Sequence, residues 1–198
     1  MAAPNIQDHH QWYNDDGGPN NPNNATPKGA EDAVIDWIPL TNIRLRIKFH
    51  SQSGDFSAYS YFMSFNLDGG ATWGKMGLMP STIAPWISDS PNFATNSATT
   101  ERLTNSGGST WLNGVAQDTS VPWSLTLPSS TRTELEYCLK FPAEFSGHFV
   151  RFRMNGGSVG FAYPIDPTLY TRINIGARPS LKVSGGTLKE FGGTLKVF

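Results

Sequence analysis

The chain has 198 residues, of which 38% are hydrophobic and only 16% charged, with 20 Gly, 14 Pro and a net charge of −1. That length supports one domain with a core of its own, and the near-zero charge excludes a global pull toward nucleic acid or acidic membranes. Low charge and frequent turn formers suit an all-β protein, and the single cysteine, Cys138, excludes an intrachain disulfide framework.

Residues 1–33 read as an extended N-terminal arm. GGPNNPNNATPKGAEDA is dense in Asn, Pro and Gly and has too few apolar groups to offset the entropy of ordering. Upstream, Ile6, Trp12 and Tyr13 stand out as apolar groups on a polar tail, which suggests docking on a neighbouring subunit. Asp8, His9 and His10 have no further ligand residues at metal-site spacing, so no metal is expected there. The opening MAAPNIQDHHQWYNDD lacks a basic stretch followed by an apolar run, so no secretory signal is expected. No run approaches the ~18 apolar residues of a membrane span.

Residues 34–176 carry the strand signals. Ile43, Leu45, Ile47 and Phe49 alternate with Arg44, Arg46, Lys48 and His50, which predicts a strongly amphipathic strand. Its basic face is expected on a solvated sheet surface, paired locally with Glu134 and Glu136 rather than with phosphates. Tyr59, Tyr61, Met63, Phe65 and Leu67 share a face of the next strand, and Asp68-Gly69-Gly70 predicts a tight turn into a return strand beginning near Trp73. Trp73 is expected as a core plug between two sheets.

From 77 to 133 the pattern loosens. Pro80, Pro85 and Pro91 break the chain into short pieces, and Trp86, Ile87 and Phe93 are expected to cover a sheet edge. Thr99 to Thr104 reads as a short strand. A stretch with this little regularity predicts loops at one end of a scaffold, where binding often resides. Trp86, Trp111 and Trp123 are candidates there for an aromatic platform that takes sugar rings, although anchoring the loops or core is the simpler role for tryptophan.

Residues 133–163 predict three consecutive antiparallel strands. Leu135, Tyr137, Leu139 and Phe141 alternate with Glu134, Glu136, Cys138 and Lys140; Val150, Phe152 and Met154 alternate with Arg151 and Arg153. Asn155-Gly156-Gly157 supplies a hairpin turn to a strand bearing Val159, Phe161 and Tyr163. With neighbours paired, Arg151 and Arg153 would lie opposite Glu134 and Glu136. Residues 177–198 hold a repeat, GGTLKEF followed by GGTLKVF, with Leu181 opening a degenerate copy. The Gly-Gly pairs predict short strands separated by turns, and Leu181, Leu188, Phe191, Leu195 and Phe198 are the expected contacts to a neighbour by strand addition.

No catalytic constellation emerges. The four histidines, His9, His10, His50 and His148, are scattered. Glu134 and Glu136 have arginines as prospective partners rather than the aromatic cleft a glycosidase needs. Neither enzyme activity nor a cofactor is expected.

The order RLRIKF, a tyrosine-rich strand, LDGGATW, TTERLTNSGGSTWLNG, TELEYCLKF and FVRFRMNGGSVGFAY resembles the immunoglobulin-like β-sandwich modules of tailed-bacteriophage structural proteins. LRIKF, DGGATW, TELEY and VRFRMNGG carry the likeness, over roughly residues 34–175. The resemblance implies an all-β, immunoglobulin-like antiparallel sandwich and a non-enzymatic virion role. A capsid decoration (cement) protein fits best, with the major capsid protein or other virion subunits as partners and a homo-oligomer, for instance a trimer, as its state. It would be made in the host cytoplasm and end in the virion, with no nucleic acid or membrane as partner. A carbohydrate- or receptor-binding module, or a tail or connector component, are the alternatives.

Overall fold

The computed structural model describes residues 5–20, 24–51, 56–76, 83–104, 110–118, 123–156, 161–162, 171–176, 188–191 and 194–197. In chain order the strands are β1 (Asn5–Asn14), β2 (Ile35–Trp37), β3 (Ile43–Ser51) and β4 (Phe56–Leu67). The short β5 (Gly74–Lys75), β6 (Trp86–Ile87), β7 (Ser97–Ala98), β8 (Thr110–Trp111) and β9 (Val115–Gln117) follow. Next come β10 (Trp123–Leu127), β11 (Thr131–Lys140), β12 (Phe149–Gly156), β13 (Phe161–Ala162) and β14 (Thr171–Ile175). The tail carries β15 (Leu188–Phe191) and β16 (Thr194–Val197). A 3-10 turn, Ala143–Phe145, is the one helical piece among the described residues.

The protein is all-β, built on two mixed sheets. One has the order β1-β3-β11-β9-β7, with β6 and β8 also on β11; the other has β10-β4-β12-β14-β2, with β5 on β4 and β13 on β12. β8 and β9 run parallel to β11, and β2 runs parallel to β14, so the sheets are not purely antiparallel as expected. The alternating apolar residues do what their period predicts. Ile43, Leu45, Ile47, Leu135 and Leu139 from the first sheet share one core with Met63, Val150, Phe152, Met154 and Ile173 from the second. Phe152 anchors it edge-to-face, its centroid 5.9 Å from that of Trp12 and 6.0 Å from that of Phe141. Each such fully buried side chain is worth about 1.5–3 kcal/mol relative to exposure.

Three expectations change. The strands at 133–163 are not a meander: β11 and β12 belong to different sheets, and the link between them crosses the core edge. Phe141 and Phe145 are buried at that crossing, which pulls the chain across instead of letting it fold back. β12 pairs with β4, so Arg151 and Arg153 lie opposite Asn66 and Ser64. Trp73 is half-buried rather than a core plug, with the Arg153 guanidinium 4.1 Å from its ring centroid. Thr99 to Thr104 is an irregular segment; the strand lies just before it, at Ser97–Ala98. The predicted turn at Asp68-Gly69 does form, with φ of 49° and 70°, and joins β4 to β5. β12 and β13 pair antiparallel as expected, but Asn155 and Gly156 are strand residues opposite Ala162 and Phe161 rather than the turn, and Gly157 lies outside the described residues.

The largest change concerns the N-terminal arm. β1 pairs antiparallel with β3 from Asn5↔Ser51 to Asn14↔Ile43. Trp12 and Tyr13 are 0% and 1% exposed, so they are intramolecular core rather than handles for a neighbour. A bulge between Gln7 and His10 resets the alternation. It lets Gln7 bond inward, to Thr171 Oγ1 and the Met154 N–H, on the same sheet that Trp12 meets through Phe152.

Candidate functional site

The densest chemistry lies on the face of β3 and β11 that was expected to be solvated. Register sets Arg46 opposite Glu136 and Lys48 opposite Glu134, as the charge pattern suggested. The burial was not foreseen: Arg44, Arg46, Lys48, Glu134 and Glu136 are all 0% exposed. Glu136 takes both arginines, accepting from Arg44 Nε on Oε1 at 2.5 Å and from Arg46 Nε on Oε2 at 2.6 Å. Arg46 Nη1 adds a bond to Glu134 Oε2 at 3.0 Å.

Three buried cations face two buried carboxylates, and an uncompensated charge would be prohibitive in a dry site. Glu101 pairs with Lys48 at 3.1 Å and Asp15 lies 4.0 Å from Arg44, and backbone carbonyls take the remaining N–H donors. Arg44 Nη1 donates to Gly17 O, Arg46 Nη2 to Pro19 O at 2.6 Å, and Arg46 Nη1 to Thr100 O at 2.7 Å. All three N–H donors of Lys48 are taken, by Glu101 Oε1, Leu103 O and Thr104 O at 3.0–3.1 Å. Glu134 in turn accepts the backbone N–H groups of Arg102 and Leu103. Two irregular segments, 15–20 and 99–104, are thereby tied down onto the sheet. This explains why a polar, Gly/Pro-rich stretch is ordered: its carbonyls are what the guanidiniums require.

Aromatic rings close the cover. The Arg102 and Arg46 guanidinium carbons lie 4.2 and 5.7 Å from the Tyr13 centroid, and that of Arg44 lies 4.6 Å from the Phe93 centroid. Burial pushes the Tyr13 hydroxyl up to about 12, against the opposing pull of Arg102 and Arg46. Burial likewise raises the Glu134 carboxyl above its ordinary value, opposed by Arg46 and the loop N–H groups. Arg46 is held more firmly protonated than usual: burial disfavours its charge, but Glu136 and Glu134 outweigh that. Cys138, fully buried, has its thiol driven well up by burial, with the Asp15 carboxylate adding to the effect. A buried, firmly protonated thiol is a poor nucleophile. Chemically the cluster is a saturated clamp, with Lys48 and Glu134 already fully engaged.

Gly114 makes the clamp possible. A Cβ at this position would stand 1.9 Å from Glu134 O, so the backbone before β9 approaches β11 as only glycine can. Thr99 fastens the same spot, its Oγ1 donating to Glu134 O at 2.8 Å.

The three loop tryptophans do not converge. Trp86 pairs with Lys140 at one end of β11 and is buried, whereas Trp111 pairs with Arg132 at the other end. Eight residues of strand separate these positions by about 26 Å. Trp123 lies on the second sheet, opposite Tyr61. Trp111 is half-buried and donates its indole N–H to Asn113 Oδ1 at 2.9 Å. A shared sugar platform is therefore not formed.

Of the expected tail contacts, Leu188, Phe191 and Leu195 fall in the β15–β16 hairpin, opposite Val197, Thr194 and Glu190. Leu181 and Phe198 lie outside the described residues. Ile6 falls in β1, opposite His50. The histidines gather carboxylates that sequence spacing did not reveal. His50 meets Asp8 at 2.5 Å, His148 meets Asp68 at 2.5 Å, and His9 meets Asp32 at 2.6 Å and Glu31 at 3.1 Å. No family model, no curated protein and no solved structure matches this chain.

Proposed function

We propose that this chain is a non-enzymatic structural protein of a virus particle, a decoration (cement) protein seated on a capsid shell, with its two sheets in an immunoglobulin-like arrangement. One observation supports the reading above the others. Among the described residues, the β15–β16 hairpin forms a two-stranded sheet of its own and pairs with neither sheet of the body. An isolated two-stranded hairpin is marginal in water, so this element gains its stability by docking. In this proposal the surface it docks on belongs to the major capsid protein or to a neighbouring copy.

The rest of the molecule supports the same division of labour. With the N-terminal segment packed into the body, gripping falls to the tail. The basic stripe of β3 is spent on internal pairs and loop carbonyls, which leaves Arg44, Arg46 and Lys48 unavailable to phosphates. A contact made only in the assembled shell stabilises that shell by mass action, and no chemical step is needed.

Cross-linking and mass spectrometry of purified particles test this through Lys189 and Lys196, which pair across the hairpin. The expected result is amine-reactive links from these lysines to shell subunits, and loss of particle binding when residues 188–197 are deleted. Absence of the chain from purified particles, or undiminished binding without the hairpin, overturns the proposal. Links confined to tail proteins would move it to a tail or connector role.

A further inference from the structure

We infer that His9, Glu31 and Asp32 form a binding site for a borderline divalent transition metal such as Zn²⁺, which fastens β1 to the segment that follows it. Neither the fold nor the proposed virion role requires this site. His9 Nδ1 lies 2.6 Å from Asp32 Oδ2 and 3.1 Å from Glu31 Oε1, and the three donor atoms all fall within 4.8 Å of one another. One imidazole and two carboxylates, from positions 22 and 23 residues apart, make a mixed N/O donor set of the kind that zinc takes with three protein ligands and a water. An all-oxygen set would favour Mg²⁺ or Ca²⁺ instead; the imidazole selects against them.

A second contact fixes Asp32. The His10 side chain is only 4% exposed and directs Nδ1 at Asp32 Oδ1, 3.2 Å away. Asp32 thus has one imidazole at each oxygen. Metal ligation by Oδ2 leaves Oδ1 for His10 and the His10 backbone N–H, which donates to it at 2.8 Å. Partners of that kind behind a ligand orient it and hold its charge.

The geometry leaves room for an ion. Ligands about 2.1 Å from a tetrahedral zinc stand about 3.4 Å apart, so His9 and Asp32 must separate by under ~1 Å. Both can move, since the side chains of His9, Glu31 and Asp32 are 23%, 23% and 32% exposed. The same exposure leaves the outer positions open to water. Glu31 stays anchored meanwhile, because its carboxylate accepts the Thr104 N–H at 2.9 Å through Oε2, the oxygen not facing His9. The competing arrangement is a direct pairing of His9 with the two carboxylates, with no ion between them. It predicts that added metal does nothing.

The test is titration calorimetry of the untagged, metal-stripped full chain with ZnCl₂, beside MgCl₂, with thermal unfolding run in parallel. One Zn²⁺ should bind per chain and raise the melting temperature, Mg²⁺ should do neither, and His9→Ala should weaken Zn²⁺ binding by about tenfold or more. Glu31→Gln is a second variant that leaves the Asp32–His10 contacts in place, and it should weaken binding similarly. Absence of Zn²⁺ binding to the folded chain overturns the inference, as does binding of unchanged strength in both variants.

Discussion

Arg46 and Glu136 meet across β3 and β11 with Nε 2.6 Å from Oε2, both fully buried, and Arg44 holds the other oxygen of the same carboxylate. One carboxylate thereby bridges two guanidiniums that also donate to the carbonyls of Gly17 and Pro19. Glu136→Gln keeps the volume and removes the charge. It should cost about 3–5 kcal/mol, because Arg44 loses its close carboxylate partner and Arg46 keeps only Glu134. Urea unfolding measures it, and a loss under ~1 kcal/mol would show that water reaches the cluster.

Trp12→Ala distinguishes a core strand from a docking arm. The indole is fully buried against Phe152, so truncation should destabilise the isolated chain by about 3–5 kcal/mol. Protease sensitivity should then appear within residues 15–33, which β1 holds through bonds such as Lys28 N–H to Trp12 O at 2.8 Å. Unchanged stability of the free protein would return Trp12 to the role of a handle for neighbours.

Gly114→Ala places a methyl group 1.9 Å from Glu134 O, a backbone atom in the middle of β11 that cannot turn aside. The cost should be at least about 2 kcal/mol. A melting scan reads it, with Gly147→Ala as the contrasting variant: open space surrounds that position and only its φ of 87° is unfavourable.

Acid should act with opposite signs on the outer contacts and on Glu134 in the buried cluster. Burial raises the Asp32 carboxyl, but hydrogen bonds from His10 and His9 outweigh it and hold the group near 2. Asp68 is lowered by the Phe149 N–H and His148, and Glu101 by Arg132 and Lys48. Each has a folded value below its unfolded one, so its contribution is present above about pH 4 and is lost as the pH falls toward 2. Asp32 should supply about 1–2 kcal/mol of that limb after allowance for its partial exposure. Glu134, raised in the fold, has the opposite sign and contributes below its unfolded value. Unfolding free energies from pH 6 to 2 should therefore fall, with a shallower slope in Asp32→Asn.

The alternation of Ile43 to Phe49 against Leu135 to Phe141 made the central strands legible in sequence, together with the charge pairing that joins them. Asn155 and Gly156, read as turn residues, are still paired strand residues of β12, whereas the turn written in Asp68-Gly69 was equally plain. The cover over Arg44, Arg46 and Lys48 was not, because residues 15–20 and 99–104 have no period and contribute mainly backbone carbonyls, which every residue type carries. β1 was hidden by its own bulge, which breaks the two-residue rhythm between Gln7 and His10. The His9 site was hidden for another reason: its carboxylates are remote in sequence and meet it only once the 28–32 segment lies along β1.

The Arg44–Arg46–Glu136 cluster also settles a question the hydrophobic pattern leaves degenerate. Sliding β3 by two residues along β11 keeps every apolar side chain on the core face, so greasy alternation alone cannot choose among the alignments. Charge can. A slip in one direction keeps Arg46 and Arg44 opposite Glu134 and Glu136 but sets Lys48 opposite Arg132. A slip in the other keeps Lys48 opposite Glu136 but sets Arg44 opposite Lys140, whereas the observed alignment pairs Arg46 with Glu136 and Lys48 with Glu134 and has neither clash. Like charges directly opposed in a sheet are unfavourable, and burial under the two loops would amplify the penalty. The covered salt cluster thus works as a reading-frame mark for strand pairing, rejecting near-native alignments that the core by itself would accept.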